Sequence, residues 1–137
     1  MNYSDQLLRQ FNNATKPGIQ TFLKKLYGLV ENEITAMDRV IEVGAGAGIS
    51  QLFIDKAILR TDLFSFENRV SGDNDCHNLK YKENEFNGLI AIDVLHHLAE
   101  PTVALGEFKR IVNFGRTPTS GRGGGSAGFH RALCFAS

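Results

Sequence analysis

The chain is 137 residues long, 42% apolar and formally neutral, with 15 Lys/Arg against 15 Asp/Glu. That length holds one small domain with a core of its own, and zero net charge supplies no bulk field for nucleic acid or an anionic membrane. Two cysteines, Cys76 and Cys134, are too few for a disulfide framework or a zinc site and read as reduced thiols of a cytoplasmic protein; no apolar run reaches membrane-spanning length, and the first residues carry no signal-peptide pattern.

Ser4 to Phe11 is expected to form a short helix with Ser4 as N-cap. Asn12 to Gly18, containing Pro17, reads as a connector. Ile19, Phe22, Leu23, Leu26, Val30 and Ile34 then recur at helical spacing and predict an amphipathic helix packed on a sheet. Residues 1–35 are thus expected to be an N-terminal helical segment. Val40, Ile41 and Val43 are β-branched and predict a short buried strand. Glu42 and the glycines that follow spell Glu-x-Gly-x-Gly-x-Gly through Gly44, Gly46 and Gly48. A helix is expected over Ile49 to Ala57.

Strand, glycine turn and helix open a nucleotide-type α/β fold. Glycine takes backbone angles that a Cβ forbids and lets a ligand approach the main chain. The helix start offers N–H groups to an anionic group. A nicotinamide G-x-G-x-x-G pattern would need glycine at 49, where Ile49 stands, and a P-loop would end in Gly-Lys-Ser/Thr, which is missing. A plain glycine-rich turn in some other α/β protein is the alternative.

Ala57 to Asp62 predicts a second strand ending in an acid. Asp62 stands twenty residues after Glu42, about the offset at which an acid meets ribose hydroxyls in dinucleotide folds; otherwise it is a solvated strand-end aspartate. Phe64 and Phe66 either line the site or bury their loop. Val70 to Asn74 is poor strand material, and only the order of the fold places a third strand there. Gly88 to Leu95 is a nearly continuous apolar run, the mark of a parallel strand covered on both faces. Asp93 interrupts it near its carboxyl end, where ligands of open α/β sheets bind. Pro101 suits the first turn of a helix, with Ala104, Leu105, Phe108, Ile111 and Val112 as its apolar face.

Several segments now agree in order and spacing. Glu42 to Gly48, Asp75-Cys76-His77-Asn78-Leu79, Asn84 to Ile90, Asp93-Val94-Leu95-His96-His97-Leu98, Glu100-Pro101 and Leu105 to Val112 together resemble the type 11 branch of the class I S-adenosylmethionine-dependent methyltransferases. The likeness covers about residues 36–112. It implies a Rossmann-like methyltransferase fold, a parallel sheet with helices on both faces, and S-adenosylmethionine as cofactor. It further implies that Gly44, Gly46 and Gly48 shape the loop around the methionine part, that Glu42 orients that loop, and that Asp62 holds the ribose. Asp75 would accept from the adenine amino group with the Cys76 amide near the ring, and Asp93 would sit beside the sulfonium. The reaction implied is in-line displacement at the methyl carbon, in which the protein mainly positions and desolvates.

Asp93, His96 and His97 are the candidates for a catalytic role. A histidine there could act as general base on an attacking nucleophile, or could cap or pack its loop. Adjacent histidines are expected to point apart, so that at most one faces the site. No metal is expected, since the sequence shows no third ligand at a convincing spacing.

Asn87 replaces an aspartate common in the family. After Val112 the family continues through a Lys-Pro-Gly-Gly-type turn into a fifth strand and two more. Here residues 113–137 hold three arginines, no acid and six of the chain's 14 glycines, whereas residues 1–112 hold 12 Lys/Arg against 15 Asp/Glu. The tail is expected to be flexible by composition, with a strand or helix period only at Arg131 to Ala136. The expectation is therefore a partial methyltransferase domain over 36–112 with strands 5–7 missing, as from a frameshift or early stop. An unpaired edge on its fourth strand would then invite self-association. A small-molecule acceptor is the expected partner, and nothing signals nucleic acid. A non-catalytic module for a nucleotide-like ligand and a nicotinamide oxidoreductase fragment are the competing readings.

Overall fold

The computed structural model describes residues 2–112 and a strand at 131–135. The glycine- and arginine-rich stretch 113–130, with its expected flexibility, lies outside the described residues. Helix α1 (Tyr3–Asn13) is capped by Asn2, whose Oδ1 accepts from the Asp5 N–H at 2.8 Å, so the helix starts earlier than a Ser4 cap would have it. Helix α2 (Pro17–Ile34) begins on its proline, whose missing N–H costs a first turn nothing. The expected connector shrinks accordingly. Strands β1 (Val40–Val43), β2 (Leu59–Arg60) and β3 (Gly88–Ile92) follow, then helix α3 (Pro101–Ile111) and strand β4 (Arg131–Phe135). No helix among the described residues is long and apolar enough to cross a membrane.

All pairings in the sheet are parallel, and the order is β2-β1-β3-β4. Successive side chains of a strand point to opposite faces, and the core divides accordingly. Ile41, Val43, Leu89 and Ala91 pack with Ala104, Phe108 and Ile111 of α3. Val40 and Ile90 pack on the other face with Tyr27, Val30 and Ile34 of α2. Helices thus cover both faces, which is why β1 and β3 are apolar at nearly every position.

Three expectations need correction. The helix foreseen over Ile49 to Ala57 is a 3-10 turn of four residues, Ile49–Leu52. Tertiary partners take what would extend it: the Asp55 N–H donates to Glu31 Oε2 of α2, and Lys56 Nζ donates to the Thr35 carbonyl. The third strand at Val70 to Asn74 reduces to single bridges, Thr61 with Ser71 and Phe66 with Val70. Asp73 at φ +58° breaks the extension, and the Asn74 N–H turns back to the Asp62 carbonyl. Finally, the edge beyond β3 is not open. Arg131–Phe135 pairs along all of β3, with Gly88 opposite Arg131 and Ile92 opposite Phe135. The one tail stretch with a strand period takes the place beside β3 that was expected to stand empty, and the basis for self-association through that edge goes with it.

Candidate functional site

Parallel strands deliver their carboxyl ends to one side of the sheet, and the loops leaving β1, β2 and β3 meet there around a cavity of about 1110 Å³. Small-molecule pockets usually run to about 300–1,000 Å³, so this one is large enough for a drug-sized ligand. Of the residues singled out in the sequence, Gly44, Gly46, Asp62, Asp75, Cys76, Asp93 and His97 line it. Glu42, Gly48 and His96 are not on its wall.

Glu42 lies beneath the glycine loop, 3% exposed. The Arg60 Nε–H donates to the Ser50 hydroxyl, which donates in turn to a Glu42 carboxylate oxygen. Arg60 Nε is also 3.8 Å from Glu42 Oε2. Burial pushes the Glu42 carboxyl up to about 7, with Ser50 and Arg60 pulling it back and the Asp62 charge adding to the rise. Burial likewise lowers Arg60 from its usual value. The group ties β1, β2 and the 3-10 turn together at both ends of the glycine loop. Gly44, Gly46 and Gly48 all have positive φ, +62°, +56° and +70°, angles that side chains resist.

Asp62 grips that loop from the side. Its Oδ2 accepts from the Gly46 N–H at 2.8 Å and its Oδ1 from the Leu63 N–H at 2.7 Å. Asp75 holds its own turn, accepting from the His77 N–H at 2.9 Å and lying 2.8 Å from His77 Nδ1. Those bonds to His77 hold its carboxyl below the usual carboxylate range. His77 Nε2 accepts from the Glu100 N–H at 3.1 Å, so the neutral Nδ1–H tautomer satisfies both neighbours. Burial pushes the Cys76 thiol up to about 11, helped by the charges of Asp62 and Asp75. It is a neutral thiol at ordinary pH.

Asp93 leaves β3 in the left-handed region at φ +58°. Its Oδ1 lies 3.1 Å from His96 Nε2. The His96 and His97 rings do not point apart: their centroids are 3.9 Å apart at 44°. Both sit in the 3-10 turn Leu95–His97, which folds them side by side over Asp93. Only His97 lines the cavity.

Of the rest of the wall the sequence had raised Phe64 as a lining candidate, and the helices went unmarked. Tyr3, Gln6 and Gln10 of α1 and Phe22 and Leu26 of α2 line it, as does Phe64. Phe66 is buried instead, against Leu7, Ala45 and Val70. Phe22 belongs to the apolar stripe of α2, yet it is 64% exposed. A stripe that covers a sheet and one that runs on to border a cavity look alike in sequence. In α1 no pattern distinguished Gln6 and Gln10 from ordinary surface residues.

Residues 41–115 match a family described as methyltransferase domain. No curated protein matches the chain. Among solved structures, the [4+2]-cyclase SpnF is similar at TM-score 0.64 and 21% identity, over 98% of this chain and 64% of that one. A candidate S-adenosyl-L-methionine-dependent methyltransferase from Methanococcus maripaludis is similar at TM-score 0.61 and 13% identity, over 84% of this chain and 62% of that one. A SAM-dependent methyltransferase from Aquifex aeolicus is similar at TM-score 0.55 and 17% identity, over 82% and 68%. The chain thus spans less than two thirds of the length of the first two.

Proposed function

Since the chain belongs to the methyltransferase domain family matched by residues 41–115, we propose that it binds S-adenosylmethionine in the cavity above Gly44–Gly48 and passes its methyl group to a small-molecule acceptor. The observation that carries the reading is convergence: the glycine loop, Asp62, Asp75 and Asp93 leave three different stretches of chain and line one cavity. The residues fit the cofactor. Gly46 has a backbone angle of +56°, and among the described residues the one atom within 4 Å of the position of its absent Cβ is Gln10 Oε1 at 3.7 Å, so the loop presents bare main chain to open space.

In this reading Gly44, Gly46 and Gly48 shape the loop around the methionine part, with Glu42 bracing it from below. Asp62 takes the ribose, Asp75 the adenine amino group with the Cys76 amide beside the ring, and Asp93 stands at the sulfonium end. His97 faces the acceptor side. When bound, the cofactor supplies an electrophilic methyl group on a good leaving group. The protein's part is to align and to exclude water, and α1 and α2 wall the cavity for that purpose. A likeness at these identities fixes fold rather than reaction, and one neighbour is named a cyclase, so a binding-only module is the reading to be set against it.

Calorimetry with S-adenosylhomocysteine tests the site. Wild type is expected to bind it and not NAD, and Gly46→Val is expected to abolish binding by filling the loop's open side. Equal binding by both proteins would move the site elsewhere. Turnover of S-adenosylmethionine with an acceptor separates enzyme from binding module.

Asp62→Ala is expected to weaken S-adenosylhomocysteine binding by about 1.5–3 kcal/mol, the range for a hydrogen bond to a charged group. An analogue lacking the ribose hydroxyls separates the two tasks of this carboxylate. If Asp62 reads the ribose, wild type loses a similar increment with the analogue. If it only braces Gly46, the variant loses affinity for both ligands alike. Unchanged affinity would remove Asp62 from the site.

A further inference from the structure

We propose that Asp93, His96 and His97 form a site for a divalent first-row transition ion at the rim of the cavity. One carboxylate oxygen and two imidazole nitrogens lie within 4.8 Å of one another. Asp93 Oδ1 and His96 Nε2 are 3.1 Å apart. Metal bonds of about 2.0–2.2 Å set neighbouring donors of one ion roughly 3–3.5 Å apart, so this pair already stands at ligand spacing. His97 is the next ring, 3.9 Å from His96 between centroids. All three residues are exposed, and His97 closes the remaining gap by turning about its own side-chain bonds.

The backbone prepares the arrangement. Asp93 steps into the left-handed region as it leaves β3, a conformation aspartate tolerates better than most residues. The turn Leu95–His97 then brings two consecutive imidazoles back over its carboxylate. The sequence concealed this because Asp93 reads as the end of a strand; spacings of three and four residues bring ligands together on a helix face but not along an extended chain. Two imidazoles and one carboxylate suit zinc, cobalt, nickel or ferrous iron, whereas magnesium and calcium prefer oxygen throughout. Three protein ligands leave coordination positions open. Asp93 and His97 both line the cavity, so those positions border it, and an oxygen ligand held there would complete the sphere.

The test uses the full chain with Zn²⁺ or Co²⁺ alone. Titration calorimetry is expected to show one Zn²⁺ per chain, and Zn²⁺ is expected to raise the melting temperature by ligand linkage. His96→Ala, His97→Ala and Asp93→Asn should each weaken binding by about tenfold or more, since even outer partners of metal ligands cost ten- to a hundredfold. Each variant should lose the zinc-induced rise in melting temperature while keeping its own cooperative melt. His130→Ala and Cys134→Ser should bind as wild type does. Co²⁺ should show ligand-field bands without a thiolate charge-transfer band. Absent binding, affinity unaltered in the three variants, or a thiolate band would each overturn the site.

Discussion

Raising the pH from about 4.5 to about 7 is expected to cost the folded protein on the order of 3 kcal/mol through Glu42 alone. The folded carboxyl, at about 7, holds its proton more tightly than the same group in the unfolded chain, near 4.5. Its stabilising contribution is therefore complete below about 4.5 and is lost as pH rises through about 7. A shift of one unit corresponds to about 1.36 kcal/mol. Asp75 and Glu107 lie below their ordinary values and act the other way, losing their contribution as pH falls. Comparison with a variant cancels them. Urea unfolding of wild type and Glu42→Gln across pH 4–8 should show the wild type losing on the order of 3 kcal/mol relative to the variant as pH rises from about 4.5 to about 7. Parallel profiles would mean that Glu42 does not titrate in this window.

The second large effect is expected at Gly44. Gly44→Ala should destabilise the fold by about 2–4 kcal/mol. A side chain at φ +62° costs about 1–2 kcal/mol, and the new methyl collides with Val94 Cγ2 and comes within 3.0 Å of its Cγ1. Val94 is buried and β-branched, so it has little freedom to turn away, and overpacking of this kind costs about 1–3 kcal/mol. A double-mutant cycle with Val94→Ala separates the parts. The smaller residue should relieve the collision and leave the backbone strain, giving a coupling of about 1 kcal/mol or more. Strict additivity would show that the two loops do not press on each other. Gly46 differs: its missing side chain would meet only Gln10 Oε1 at 3.7 Å among the described atoms, whereas that of Gly44 leaves space for Val94.

How much of this was legible in the sequence depended on how local the cause was. Val40 to Val43, the glycine loop and the run Gly88 to Ile92 announced themselves, because burial on both faces writes itself into consecutive apolar residues. Pro101 marked a helix start for the same local reason, whereas Pro17, read as part of a connector, opens α2. The helix after Gly48 was misjudged because its continuation is decided by Glu31 and Thr35, residues of another element. The strand at 70–74 failed because Asp73 and Asn74 found better partners in turns. The offset from Glu42 drew attention to Asp62, which lines the cavity, but could not disclose its grip on the Gly46 N–H. His96 and His97 were singled out and expected to diverge; their rings lie together, and of the two His97 lines the cavity. Only the backbone angle of Asp93 and the turn after it bring them together, and no spacing in the sequence encodes an angle.

Gly88 pairs with Arg131, 43 residues further along the chain. Long-range parallel pairing is slow to form, since the loop must close before any bond of the ladder rewards it. If β3 pairs with β1 before Arg131–Phe135 arrives, its other edge stands bare until then. The native sheet has covered that edge, and in such a folding order it is open to a neighbour's strand only beforehand. The danger of association belongs to the history of folding rather than to the finished structure, and it grows with the concentration of chains that are folding at the same moment.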